Sequence, residues 1–237
     1  MRYLVIAPLS DDVAIRVFLR LKARHGADQV TMVSSEELSM APRWAFRLDR
    51  DSTARSEIRL ASGTILNSHA IGAVYQRIRY AQVPHFAGAA TEDRDYATSE
   101  MHALLLAWLS GLPCRVTNPP HPLGLGGWER RATEWLILGA EAGLHGIECE
   151  WSSDPDEAVR FRQTVGPERR SVLVAGDSVL GEPPDDQSAE CVRLATLARC
   201  TLLEILFAPT DDGWRYCGAT PYPGDPVRIA EALERIA

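Results

Sequence analysis

Residues 2–8 form a brief apolar run rich in β-branched and aliphatic side chains, which predicts a buried strand. Val13, Val17 and Leu21 then recur at helical spacing. Ser10 is the expected cap of that helix, Asp11 and Asp12 suit its positive end, and Gly26 stops it. A second strand is expected over 29–34. Strand, amphipathic helix and strand in this order predict a parallel α/β sheet. Further strands are expected at 44–49, 57–60, 65–66 and 73–77. Residues 95–109 pattern as an amphipathic helix carrying Met101, Leu104, Leu105 and Trp108, ended by Gly111-Leu112-Pro113. A short strand over 114–117 then runs into Asn118-Pro119-Pro120-His121-Pro122.

The Pro- and Gly-rich stretch through Gly127 reads as a linker, dividing the chain into domains 1–122 and 127–237. Beyond it, 128–142 patterns as a helix with Trp128, Ala132, Trp135, Leu136 and Gly139 on one face and Gly143 as its stop. A strand follows at 147–151. Asp154-Pro155-Asp156-Glu157 has a cap, a proline at the first helical position and two acids, so a helix is expected through Phe161 and Val165. Two hairpins are expected, 171–175 with 179–180 around Gly176-Asp177, and 202–207 with 214–217 around Asp211-Asp212-Gly213. A helix at 188–199 lies between them. Asp225-Pro226 starts a last helix through Ile229 and Leu233. The fold class is α/β.

Composition narrows the function classes. Hydrophobic residues make up 46% of the 237, enough for a real core. The net charge is −7 and no basic stripe stands out, which argues against a nucleic-acid partner. The longest apolar stretches, such as 103–109, are too short to span a membrane, so no membrane partner is expected. The apolar start meets Asp11 and Asp12 at once, which reads as a strand rather than a signal peptide, and a cytoplasmic location is expected. The five cysteines are widely spaced without a C-x-x-C, and the six histidines are dispersed, so free thiols and no metal centre are expected. The chain has one lysine, Lys22, against twenty-four arginines. A triphosphate grip built from two lysines is therefore excluded. Arginine, a planar fork suited to carboxylates, is the available cation.

The block Val74-Tyr75-Gln76-Arg77-Ile78-Arg79 is the most suggestive. Arg77 and Arg79 alternate with apolar residues at a strand end, so both face one side. Two readings stand open: a grip for a carboxylate or phosphate, and a solvated strand end with surface ion pairs. Gly124-Leu125-Gly126-Gly127 precedes a helix but follows no strand directly, so it reads as linker rather than phosphate-binding turn. Asp211-Asp212-Gly213 lacks the other ligands of a calcium loop. Gly176-Asp177-Ser178-Val179 is not a G-x-S-x-G nucleophile elbow. Glu204 is either a buried functional carboxylate or part of an exposed strand face. Trp108, Trp128 and Trp135 read as core, and an exposed one would favour an interface.

In order along the chain, these blocks resemble the ATP-grasp ligases, in particular the glutathione-synthetase-like, RimK- and microviridin-type peptide-ligase branch. The resemblance is carried by Tyr75-Gln76-Arg77-Ile78-Arg79, Glu100, Ser110-Gly111-Leu112, Val116-Thr117-Asn118-Pro119, Ala140-Glu141-Ala142-Gly143-Leu144, the hairpin at 173–179 and the strand–turn–strand at 203–218. It implies a pre-ATP-grasp-like parallel-sheet domain followed by a reduced α+β ATP-grasp remnant. The chain departs from the family pattern in two places. The direct run from the helix after Asp154 to the Ser171 strand leaves no room for the lysine-bearing, Gly-flap subdomain. Where the family places an acidic residue and Glu-x-Asn for magnesium, Tyr216-Cys217-Gly218-Ala219-Thr220-Pro221 stands.

The expectation is therefore a non-catalytic pseudoenzyme with no cofactor. It would bind a peptide, a small carboxylate or a protein partner in the cleft between the halves, and it could form a homodimer. Arg77 and Arg79 would hold an anion, and Asn118 would orient a polar group. Two alternatives stand beside it. One is an ATP- and magnesium-dependent carboxylate–amine ligase with a reduced nucleotide site or a partner subunit. The other is a scaffold subunit of a biosynthetic enzyme.

Overall fold

The computed structural model describes residues 2–50, 54–151, 159–161 and 165–236. The chain divides into two compact units, Met1–Glu129 with Gly224–Ala237, and Arg130–Pro223.

The first unit is built on a four-stranded parallel sheet of β1 (Tyr3–Ala7), β2 (Val30–Ser34), β6 (Ala73–Gln76) and β7 (Arg115–Val116), in the order β2-β1-β6-β7. Strand β1 is buried along its whole length, which is why it reads as continuous apolar sequence rather than as an alternation. Helix α1 (Asp12–His25) joins β1 to β2 and buries Ala14, Val17 and Leu21. Its cap is Asp11, not Ser10: the Asp11 carboxylate accepts the Ala14 N–H at 2.9 Å. The short helix α2 (Ser35–Ser39) is absent from the sequence reading. It starts at a capping box in which Ser34 and Glu37 satisfy each other's backbone N–H groups.

A separate antiparallel sheet, β3 (Arg43–Leu48), β4 (Ala54–Arg59) and β5 (Ile65–Asn67), packs against α3 (Thr91–Ser110) through Trp44. The Trp44 and Trp108 rings meet edge to face at 5.5 Å. Leu4, Ile6, Val74, Ile78, Leu105, Trp108 and Leu125 belong to one core.

The last helix, α6 (Pro226–Ile236), is capped by Asp225, which accepts the Val227 N–H at 2.8 Å. It packs on α1 and is tied there by Glu234, which takes Arg24 at 2.6 Å and His25 at 2.8 Å. Arg115 donates to the Ile236 carbonyl at 2.6 Å. By contact this helix belongs to the first unit, whereas the expected boundaries of 1–122 and 127–237 grouped it with the second.

The 121–127 stretch is not a slack linker. His121 and Gly124 exchange two backbone hydrogen bonds, and Leu125 is fully buried. The Leu125 N–H donates to the Arg79 carbonyl at 3.0 Å, and the Gln76 amide donates to the Leu125 carbonyl. Gly124 is required here, because a Cβ would lie 2.6 Å from the Gly127 carbonyl oxygen. Trp128 and Glu129 are not helical; the Trp128 ring stacks on His121 at 5.0 Å and 3°.

In the second unit, helices α4 (Ala132–Ala142) and α5 (Ser188–Ala198) cover the antiparallel sheet β11-β10-β12-β13, formed by β10 (Arg170–Ala175), β11 (Ser178–Leu180), β12 (Leu202–Thr210) and β13 (Gly213–Thr220). Both expected hairpins are present, the second longer than its pattern. Helix α4 ends at Gly143 in the left-handed conformation. Its Gly139 leaves room for the buried Tyr216 ring, whose hydroxyl donates to the Trp135 carbonyl at 2.8 Å. The expected helix start at Asp154 lies outside the described residues. Its expected continuation does not form: Val159–Phe161 is strand β9, paired antiparallel with β8 (Cys149–Trp151). Cross-strand pairing, which leaves no local trace, overrides the helical pattern there. No helix among the described residues is long and apolar enough to cross a membrane.

Candidate functional site

Strand order and chain order together mark one place in the first unit. From β1 the chain moves to β2 on one side; it returns to form β6 on the other. The crevice beyond the carboxyl ends of β1 and β6 is thus a topological switch point, where open parallel sheets hold their ligands. A cavity of about 510 Å³ lies there, lined by Pro8 after β1, by Ser10–Val13 at the start of α1, and by Arg77, Arg79, Tyr80 and Gln82 after β6.

Arg77 is fixed. Its Nε donates to Asp11 Oδ2 at 2.7 Å and its Nη1 donates to the Tyr75 hydroxyl at 3.2 Å. The side chains of the ion pair are only 11% and 17% exposed, so this is a shielded pair rather than a surface one. Burial works against the guanidinium charge, but the oxygens of Tyr75 and Asp11 outweigh it, and the Arg77 pKa moves up. Burial pushes the Tyr75 hydroxyl up to about 12, partly offset by Arg77, so it stays protonated. Asp11 thus serves twice, with Oδ1 on the helix and Oδ2 on Arg77.

Arg79 is different. Its Nη1 lies 3.0 Å from Glu129 Oε1, and half of its side chain is exposed. Ile78 between the two arginines is fully buried. The alternation in the sequence therefore does bring Arg77 and Arg79 to one cavity. Asn118 does not line it. It is buried at the end of β7 and turns the chain in the left-handed conformation (φ 53°), which asparagine tolerates better than most residues. Asp11 and Tyr75 were not among the expected site residues. Asp11 is legible there only as a helix-start acid, and its partner lies 66 positions away.

All five cysteines are free, two buried and three half-buried. Burial raises every thiol, Cys191 and Cys200 to about 12, so none is poised as a thiolate nucleophile. Glu204 pairs with Thr220 across β12 and β13 and is half-buried.

No family model and no curated protein matches the sequence. Solved structures do match. The macrocyclase MdnC from Microcystis aeruginosa MRC, bound with precursor peptide MdnA, superposes with a TM-score of 0.70 over 100% of both chains at 10% identity. The chain has the fold of the ATP-grasp peptide ligases. A RiPP-associated ATP-grasp ligase of Chryseobacterium gregarium, in complex with ADP and a leader and core peptide, matches at a TM-score of 0.69 and 9% identity over 98% of this chain and 95% of its own. The ATP-grasp ligase PsnB, complexed with a phosphomimetic variant of minimal precursor, Mg and ADP, matches at 0.67 and 16% identity over 100% and 98%. At such identities the agreement is one of fold.

Proposed function

We propose that this protein is a non-catalytic member of the ATP-grasp architecture that binds a carboxylate-bearing peptide or small molecule through Arg77 and Arg79. The carrying observation is the cavity at the switch point, where a locked guanidinium and a half-exposed one stand together. The Arg79–Glu129 pair is an exposed contact of the kind worth about 0–1 kcal/mol, so a ligand carboxylate replaces Glu129 at little cost. Arg77 keeps Asp11, and this neutral pair fixes the wall of the cavity beside Arg79, whose guanidinium takes the anion. Asn118 enters as the residue that sets the loop beyond the neighbouring strand.

ATP and magnesium fit poorly with the residues present. The single lysine sits on α1, its ammonium 5.5 Å from the centre of the Phe18 ring, and no residue from 23 to 237 is a lysine. Along β13 the candidate ligand positions hold Cys217, Gly218, Ala219 and Thr220. A protonated thiol, one hydroxyl and the Glu204 carboxylate across from Thr220 fall short of the hard-oxygen set that magnesium demands.

Titration of the chain with a Glu-Glu dipeptide, followed by the amide signals of residues around Arg77, tests the binding. Saturable shifts that Arg79→Ala weakens support it; shifts unaffected by Arg79→Ala would remove the assignment. A second reading, an ATP-dependent carboxylate–amine ligase with a reduced or partner-completed nucleotide site, draws on one observation. The β8–β9 strand pair stands where the sequence led to the expectation of a helix, and that expected helix was the ground for excluding a flap. ADP release on adding ATP, magnesium and amino acids or peptides would favour it.

A further inference from the structure

The outer face of the β3-β4-β5 sheet carries a charge arrangement that costs the fold stability. In the antiparallel register Arg43 stands directly opposite Arg59, and Arg47 directly opposite Arg55. Like charges facing each other across a ladder repel. Glu57 lies between them, opposite Ala45, and Asp49 pairs with Arg55 at 2.7 Å. Among the described residues, Arg43, Arg47 and Arg59 make no ion pair. In a chain of net charge −7, this is a concentrated positive surface. A recess of about 350 Å³ opens on it, lined by Arg43, Arg47, Arg55 and Glu57.

Two further features adjoin it. Strand β3 is the edge of its sheet, and among the described residues its backbone makes no hydrogen bond beyond the ladder with β4. On the opposite face, Phe46 and Leu48 are 52% and 73% exposed. They border a second recess of about 310 Å³, rimmed also by Arg47 and Arg55, whose floor is Ala107, Trp108 and Gly111 of α3 and its end. A free edge, with arginines on one side and an apolar recess on the other, has a specific complement.

We propose that β3 is a docking edge for an extended peptide of alternating acidic and apolar residues. The peptide adds as a strand beside β3, its backbone completing the open ladder. Successive side chains of a strand point to opposite faces. Every second residue, a carboxylate, therefore meets the Arg43/Arg47 face, where guanidinium forks match carboxylates. The residues between them enter the recess beside Phe46 and Leu48. A nucleic acid or polyphosphate would use the arginines and leave the apolar recess empty. The site is separate from the cavity at Arg77 and independent of the function proposed for it.

Fluorescence anisotropy with a labelled octapeptide alternating glutamate and valine tests the docking edge. The expected result is saturable binding that weakens about ten-fold or more in Arg43→Glu/Arg47→Glu, and falls as salt is raised from about 50 to about 300 mM. Methylating the peptide's outward-pairing amides removes binding, and Arg235→Gln on α6 leaves it unchanged. Arg47→Glu converts a repulsive cross-strand pair into an attractive one. Its melting temperature at or above that of the parent shows that lost binding is not lost folding. Three results would overturn the proposal. One is equal binding of an isomer with four glutamates followed by four valines. Another is equal binding of a polyphosphate of the same charge. The third is a dimer through this face that Arg47→Glu dissociates without peptide.

Discussion

Asp11 is the residue on which the cavity depends, and its two roles can be separated. Asp11→Ala removes the cap of α1, worth about 1 kcal/mol. It also strands the Arg77 guanidinium, which is shielded from water, at a cost of about 3 kcal/mol. The single substitution should therefore cost about 4 kcal/mol in the first unit, about 3 kcal/mol of it from a contact between residues 66 positions apart. Asp11→Asn can keep the cap but not the counter-charge, and should cost about 1 kcal/mol less than alanine. Arg77→Met leaves Asp11 with its bond to the Ala14 N–H and should be milder. In Asp11→Asn/Arg77→Met both charges are gone, and much of the loss returns, because replacing a shielded ion pair by neutral groups is often close to free. A coupling energy of about 2 kcal/mol is expected from this cycle. Because the chain has two units, the assay should report on the first alone. Hydrogen exchange at the α1 amides of Ala14 and Ile15 does so. A coupling below about 0.5 kcal/mol would mean that the pair contributes no more than a surface contact and that Asp11 does not lock the guanidinium.

Other outcomes follow from the same structure. Arg79→Ala should leave stability within about 0.5 kcal/mol of the parent, since it removes an exposed pair, while weakening carboxylate binding; urea unfolding and dipeptide titration read the two effects. Gly139→Ala should destabilise the second unit by about 1–3 kcal/mol, because the added Cβ collides with the buried Tyr216 ring; thermal unfolding followed at α4 measures it. Burial raises the Cys191 and Cys200 thiols to about 12 from an unfolded value near 9. The unfolded chain therefore sheds these protons first as pH rises, and the second unit should lose stability between about pH 9 and about pH 12. Cys191→Ala/Cys200→Ala should flatten that loss, and thiol labelling of the folded chain should remain slow below pH 9.

Much of the first unit was legible because β1 and β6 are buried along their whole length. The sequence around β1, β2 and β6 reads as short apolar runs, and the helical repeat of Val13, Val17 and Leu21 between two of them implies parallel pairing. The alternation Arg77-Ile78-Arg79 likewise put two guanidiniums on one side of a buried isoleucine. What stayed hidden was non-local. Strand β9 lies in a stretch with a strong local helix start, and only its pairing with β8 makes it extended. The 121–127 loop has the composition of a linker, yet Gln76 and Arg79 anchor it to the end of β6. The return of α6 to α1 rests on Glu234 meeting Arg24 and His25, more than 200 positions earlier. The capping box at Ser34 and Glu37 was visible in principle, but a five-residue helix has no room for a hydrophobic period.

The proposed loss of nucleotide chemistry rests on the single lysine lying on α1, on Cys217, Gly218, Ala219 and Thr220 along β13, and on Arg77 and Arg79 lining one cavity. Calorimetric titration of the whole chain with ATP, in the presence and absence of magnesium, addresses this most directly. The account predicts no metal-dependent heat of binding, with at most weak, salt-sensitive anion association that Arg79→Ala reduces. Tight ATP binding that requires magnesium and survives Arg79→Ala would contradict it.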